Sequence, residues 1–191
     1  SRALQRDEAN EHYIFSSIEE LVANPKELKA MIEHHIAYQV PRLDILNNYY
    51  LGKNSYIYGV KRRFDKEKSD HRISHNYARY ISQFIQGYLV GDPIKFEHDD
   101  KKVAEEIEKI NNLNSADRIH NDLVLDLSKF GRAYEIVMRN NDDEDRFYLS
   151  DVMETFVIYS DTVEREPIGA VRYVRRKDAN GVEWIRPTLY G

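Results

Sequence analysis

From Asn76 to Val90 the alternation of apolar and polar positions is regular. Starting at Tyr77, large apolar residues return at Tyr80, Ile81, Phe84, Ile85 and Tyr88, the spacing of one helix face. Asn76, Arg79, Ser82, Gln83 and Gln86 form the polar face. The Ser74 hydroxyl offers a cap for an unpaired backbone N–H at the start, while Gly91 and Pro93 close the far end. The pattern predicts a helix of roughly 16 residues, about 24 Å long. Its stripe of Tyr77, Tyr80, Ile81, Phe84, Ile85 and Tyr88 is expected to be the core around which the fold is organised. Directly after it, Pro93-Ile94-Lys95-Phe96-Glu97 alternates apolar and polar residues, predicting a short strand.

Before that helix, Ser1 to Asn24 is polar apart from Tyr13, Ile14, Phe15, Ile18, Leu21 and Val22, and reads as a flexible lead into a short helix or turn beginning after Ser16 or Ser17. Pro25 suits a helix's first turn, and Leu28, Met31, Ile32, His35 and Ile36 then repeat at helical spacing. Pro41 lacks an N–H and crowds the carbonyl four residues back, so a kink or a break is expected there before the pattern resumes through Leu43, Leu46, Tyr49 and Tyr50 to Gly52. Beyond Pro93, Asp99 or Asp100 caps a helix carrying Val103, Ile107 and Ile110. Ser115 opens another carrying Ile119, Leu123, Leu127 and Phe130, which Gly131 ends.

From Ala133 the period changes to two. Tyr134–Met138 and Arg146–Leu149 read as a hairpin about the Asn140–Asp145 turn, followed by strands at Thr155–Tyr159, Ile168–Arg176 and Val182–Tyr190. The class is α+β: a helical layer over about residues 25–131 and an antiparallel sheet over about 132–191, in one domain spanning 25–191 after the flexible lead of 1–24.

Composition narrows the functions this fold can serve. With 32% charged and 41% hydrophobic residues, the chain has the apolar material for a core and a heavily solvated surface. No run approaches the roughly 20 apolar residues of a membrane span, and the first residues lack the apolar stretch of a signal peptide. There are no cysteines, which excludes disulfides and cysteine-ligated zinc. The net charge of -5 opposes tight, sequence-blind binding to nucleic acid, which needs many Lys and Arg contacts to phosphate. One stretch departs from that balance. Lys61, Arg62, Arg63, Lys66, Lys68 and Arg72 stand among only three acidic residues, a local excess of +3. It reads as a solvated loop, or as one that touches phosphates or a neighbouring acidic surface.

Four stretches together resemble one known family. Asn76, Tyr77, Ala78, Tyr80, Ile81, Phe84, Gly87, Tyr88, Gly91, Pro93 and Ile94 are similar to a helix-turn-strand segment of the portal proteins of tailed bacteriophages, in the branch typical of phages and prophages of Gram-positive bacteria. Leu46 to Gly52, LNNYYLG, is similar to that family's helix-ending Tyr-Tyr-x-Gly. Phe130-Gly131-Arg132-Ala133-Tyr134-Glu135 resembles its turn into a strand, and Ala170-Val171-Arg172-Tyr173 its later strand. The matches keep the family's order over most of the chain.

The resemblance implies a wing-like region from the N-terminal part of a portal, ending before the stem, clip and crown. It implies a structural subunit of the head-tail connector: a homo-oligomeric ring of about twelve copies at a capsid vertex, through which double-stranded DNA passes without being tightly held. Terminase, a head-completion or adaptor protein, and scaffold or major capsid protein are the implied partners. Assembly is implied in the bacterial host cytoplasm, with no catalytic residue, cofactor or metal. The 191 residues alone are expected to assemble weakly or not at all. The competing reading is an unrelated nucleic-acid-binding module using the basic loop 61–72.

Candidate chemistry is sparse. His71 and His75 are four apart, but residues 72 to 74 are Arg-Ile-Ser and supply no Glu of the H-E-x-x-H type, so solvent-facing or capping roles are preferred. His34 and His35 are adjacent and point apart on a helix. The acidic turn Asn140–Asp145 lacks the alternating ligands and the glycine of a calcium loop. Gly87-x-x-x-Gly91 falls late in a helix and is not a phosphate loop.

Overall fold

The computed structural model describes residues 13–53, 75–177, 181 and 183–191. The described chain divides into two compact units, one formed by residues up to Asp44 together with Ser150–Gly191, the other by Ile45–Leu149. This differs from the single unit expected from residue 25 onward. The two ends of the chain build one hydrophobic core together, and the middle packs on itself.

In the first unit, strand β1 (Tyr13–Phe15) is followed by helix α1 (Ile18–Ala23), helix α2 (Pro25–His34), a wide π-helical turn (His35–Gln39) and helix α3 (Val40–Tyr50), whose residues up to Asp44 belong here. Strands β4 (Thr155–Ser160), β5 (Pro167–Lys177) and β6 (Glu183–Tyr190) complete it. The sheet order is β1-β4-β5-β6. β1 runs parallel to β4, with Tyr13 beside Ile158, while β4–β5 and β5–β6 are antiparallel. Of the stretch expected as a flexible lead, Tyr13–Phe15 is instead a strand of the sheet, while the short helix expected after Ser16 or Ser17 forms as α1, with Leu21 wholly buried. Ser17 starts α1 by accepting a hydrogen bond from the Glu20 N–H.

The core gathers Tyr13, Leu21, Ile32, Phe156, Ile158, Val171 and Tyr173. Pro41 neither breaks nor sharply ends the helix. The ladder widens just before it, with the Val40 N–H reaching the His35 carbonyl, and an α-helix restarts at Val40, placing Pro41 in a first turn where its missing N–H costs nothing. The wide turn carries two polar side chains into the core, His35 and Gln39, both with no exposed surface.

The second unit holds the rest of α3, helix α4 (Tyr77–Val90), helix α5 (Lys101–Asn114), helix α6 (Ala116–Phe130), and the strands β2 (Tyr134–Arg139) and β3 (Asp145–Ser150), which pair in a two-stranded sheet of their own. Ser115, in the left-handed region at φ 51°, turns the chain between α5 and α6, and Gly131 at φ 71° ends α6. The class is α+β, as the sequence indicates, and the hairpin shares no strand pairing with the four-stranded sheet.

Asn114 ties that hairpin to α5. Its amide donates to the carbonyls of Ile110 (2.8 Å) and Asp145 (2.9 Å), and its oxygen accepts from the Phe147 N–H (2.9 Å). Pro93–Glu97 is not a strand, since among the described residues nothing pairs with it.

Candidate assembly interface

Helix α4 is held on its polar side. Asn76 caps it, accepting from the Arg79 N–H at 3.0 Å while its amide donates to the Tyr50 carbonyl at 2.8 Å. Further along, Gln86 donates to the Asn121 carbonyl of α6 (3.0 Å), and Asn121 reaches back to the Val90 carbonyl (3.4 Å). Ser82 and Val90 are the buried residues of the helix. The Arg79 guanidinium lies 5.9 Å from the Tyr50 ring centre, and the Lys129 ammonium 4.9 Å from the same ring. The Tyr50 ring thus meets two cations near the start of α4.

That arrangement turns the expected core stripe outward. Tyr77, Tyr80, Phe84 and Tyr88 are 68%, 69%, 63% and 81% exposed, and Ile81, Ile85 and Leu89 are exposed as well. At 3.6 residues per turn, Phe84 stands about 160° around the axis from both Ser82 and Gln86, opposite the side that meets α6. Helical periodicity located the helix and its two faces correctly; the polar face, not the apolar one, meets the rest of the unit. Two side-chain amides bonded to backbone carbonyls, plus a small Ser82, fasten it there. The expectation that Tyr77, Tyr80, Ile81, Phe84, Ile85 and Tyr88 form the core is therefore corrected: they form a continuous apolar surface. The main neighbour of α4 is α6, and α3 meets it at the Tyr50 end.

The other sequence-level candidates form no common site among the described residues. Lys61, Arg62, Arg63, Lys66, Lys68, Arg72 and His71 lie outside the described residues. His75 is exposed beside Tyr77. Asn140 organises the acidic turn, its oxygen accepting from the Asp142 and Glu144 N–H groups, and Arg139 pairs with Asp143 at 2.8 Å. Internal partners thus account for much of that turn's polarity. An open groove of ≈ 840 Å³ runs beside the extended segment after α4, with Ile94, Phe96, Lys101, Glu105, Glu108 and Arg118 along it. Acidic and basic groups mix there. Among the described residues no three His, Asp or Glu side chains gather as a metal site, and no helix is long and apolar enough to cross a membrane.

Sequence reasoning missed the polar cluster buried in the first unit. The Tyr173 hydroxyl donates to the Met153 carbonyl (3.1 Å) and so accepts from Nδ1 of His35 (2.8 Å), 138 residues away in sequence. Tyr13 and His34 pair at 3.1 Å beside it. Burial pushes the Tyr173 pKa well above its ordinary value, against a smaller opposite pull from Arg175. A histidine at an apolar helix position was the available signal, but nothing in the sequence pointed to Tyr173 as its partner.

The described residues thus turn a broad apolar helix face outward, a kind of surface that marks interaction sites in general. The family described as phage portal protein, SPP1 Gp6-like, matches residues 29–190, and the chain belongs to that family. It is also similar to the portal protein of Bacillus phage SPP1, with 29% identity over 127 residues, covering 66% of this chain and 25% of that protein. The chain thus spans about a quarter of the length of that relative.

Proposed function

We propose that this chain is part of a subunit of a portal ring: about twelve copies closing head-to-tail at one capsid vertex, with double-stranded DNA entering through the ring during packaging and leaving during ejection. The match of the portal family to residues 29–190 carries this reading. The role is structural and not catalytic, in the virion after assembly in the bacterial cytoplasm. Terminase, a head-completion or adaptor protein, and scaffold or major capsid protein are its partners. The net charge of -5 supports a wall that lets DNA slide, because strong phosphate contacts would hold the duplex in place. Lys61, Arg62, Arg63, Lys66, Lys68 and Arg72 are assigned, on charge alone, to contact with an acidic neighbouring surface or with passing phosphates.

The test is immunogold labelling of the phage particle with an antibody raised against these residues. Label confined to a single vertex per capsid is expected. Label spread over the shell, or confined to the distal tail, refutes the assignment.

A further inference from the structure

We propose that the outward face of α4, from Tyr77 to Leu89, is one half of a head-to-tail contact between two copies of this chain. The inference takes the identity of its partner from the ring-subunit reading, but it stands on the geometry of the helix.

Size comes first. A buried aromatic side chain accounts for 150–250 Å², so four aromatic residues at 63–81% exposure, with Ile81, Ile85 and Leu89 beside them, present about 800 Å². That equals what one partner commonly contributes to a specific protein–protein interface, and it exceeds the apolar patch a monomer ordinarily leaves open.

Composition agrees. Three tyrosines, a phenylalanine, two isoleucines and a leucine make up the stripe, and no charged residue interrupts it. Interface centres are enriched in aromatic residues and depleted in charge, and tyrosine suits a surface that is wet before association and dry afterwards. The helix is also fixed beforehand by Asn76, Gln86 and Asn121, so docking need not order it.

Symmetry decides the mode. Packing α4 on α4 would be isologous and would close at two copies, whereas a ring needs each α4 to meet a different surface of its neighbour.

Sedimentation of the 191-residue chain from micromolar to near-millimolar concentration tests this. The weight-average mass is expected to rise above 22.6 kDa reversibly for the native sequence. The double substitution Phe84→Glu, Tyr88→Lys should hold the chain at the monomer mass with an unchanged circular dichroism spectrum. Because the chain has no cysteine, Phe84→Cys introduces a unique thiol. Under oxidant it should give no dimer linked between two positions 84. Native protein that stays monomeric throughout, a double variant that associates like the native chain, or efficient 84–84 cross-linking would each overturn the proposal. None of these results would alter where the antibody labels a capsid, so the two readings fail separately.

Discussion

Replacing Tyr173 with Phe removes a single oxygen that serves two bonds. The hydroxyl is wholly buried, donates to the Met153 carbonyl and accepts from Nδ1 of His35. Phe keeps the ring in contact with His35 and Phe156 but takes away the hydroxyl that Nδ1 of His35 bonds and leaves the Met153 carbonyl without this donor. An unsatisfied buried polar group costs about 1–3 kcal/mol, and relief of the hydroxyl's own desolvation offsets part of the total, so a loss of about 2–3 kcal/mol is expected.

Urea unfolding followed by the fluorescence of Trp184 is the assay. Trp184 is the only tryptophan of the chain and lies on β6, whose register places it beside Arg176 of the strand that carries Tyr173. Converting His35 to Leu in the same protein should recover part of the loss, because removing both partners leaves fewer orphaned groups than removing one. A loss below about 0.5 kcal/mol would refute the claim that this network is a structural contributor.

The same hydroxyl sets a pH dependence. Its folded pKa is raised, so the neutral form is favoured by folding. That stability is complete below the ordinary tyrosine pKa of about 10 and is lost as pH climbs past it. Tyr173→Phe should flatten the alkaline fall in the midpoint of the Trp184 transition.

Three further substitutions probe other parts of the chain. Asn76→Ala removes the cap of α4 and its bond to the Tyr50 carbonyl, and should cost about 1–2 kcal/mol, read as faster amide exchange over the first turn of α4. Gly169→Ala would set a methyl group 2.5 Å from the Tyr190 backbone carbonyl, which no rotamer change relieves; a loss of about 1–3 kcal/mol in the Trp184 transition is expected. Changing Lys61, Arg62 and Arg63 to Ala should leave duplex DNA affinity, measured by filter binding across a salt series, weak and nearly unchanged. Tight, salt-steep binding lost in that triple variant would instead favour a DNA-binding module.

Much of the secondary structure was legible because it is local. The 3.6-residue period of Tyr77–Tyr88, the caps at Asp100 and Gly131, and the two-residue period from Tyr134 onward all act within a few residues of sequence, and the corresponding helices and strands form. Tyr13–Phe15 was not legible as a strand. Three residues are too short for a period, and they become a strand only because β4 lies beside them, 145 positions away in register. Pro93–Glu97 is the opposite case: its alternation is correct for a strand, but a strand also needs a partner, and none of the described residues supplies one.

The chain's own order of residues thus determined its α+β class, most of its element positions and, through four motifs in sequence order, its family. Only the tertiary structure decided that the two ends share a core, that His35 meets Tyr173, and that α4 presents its apolar side outward. Periodicity reports that a helix has two unlike faces, and the family match covers residues in order. Neither specifies which neighbour each face will meet, because that choice is made by long-range packing and by the few amide–carbonyl bonds that fasten one side.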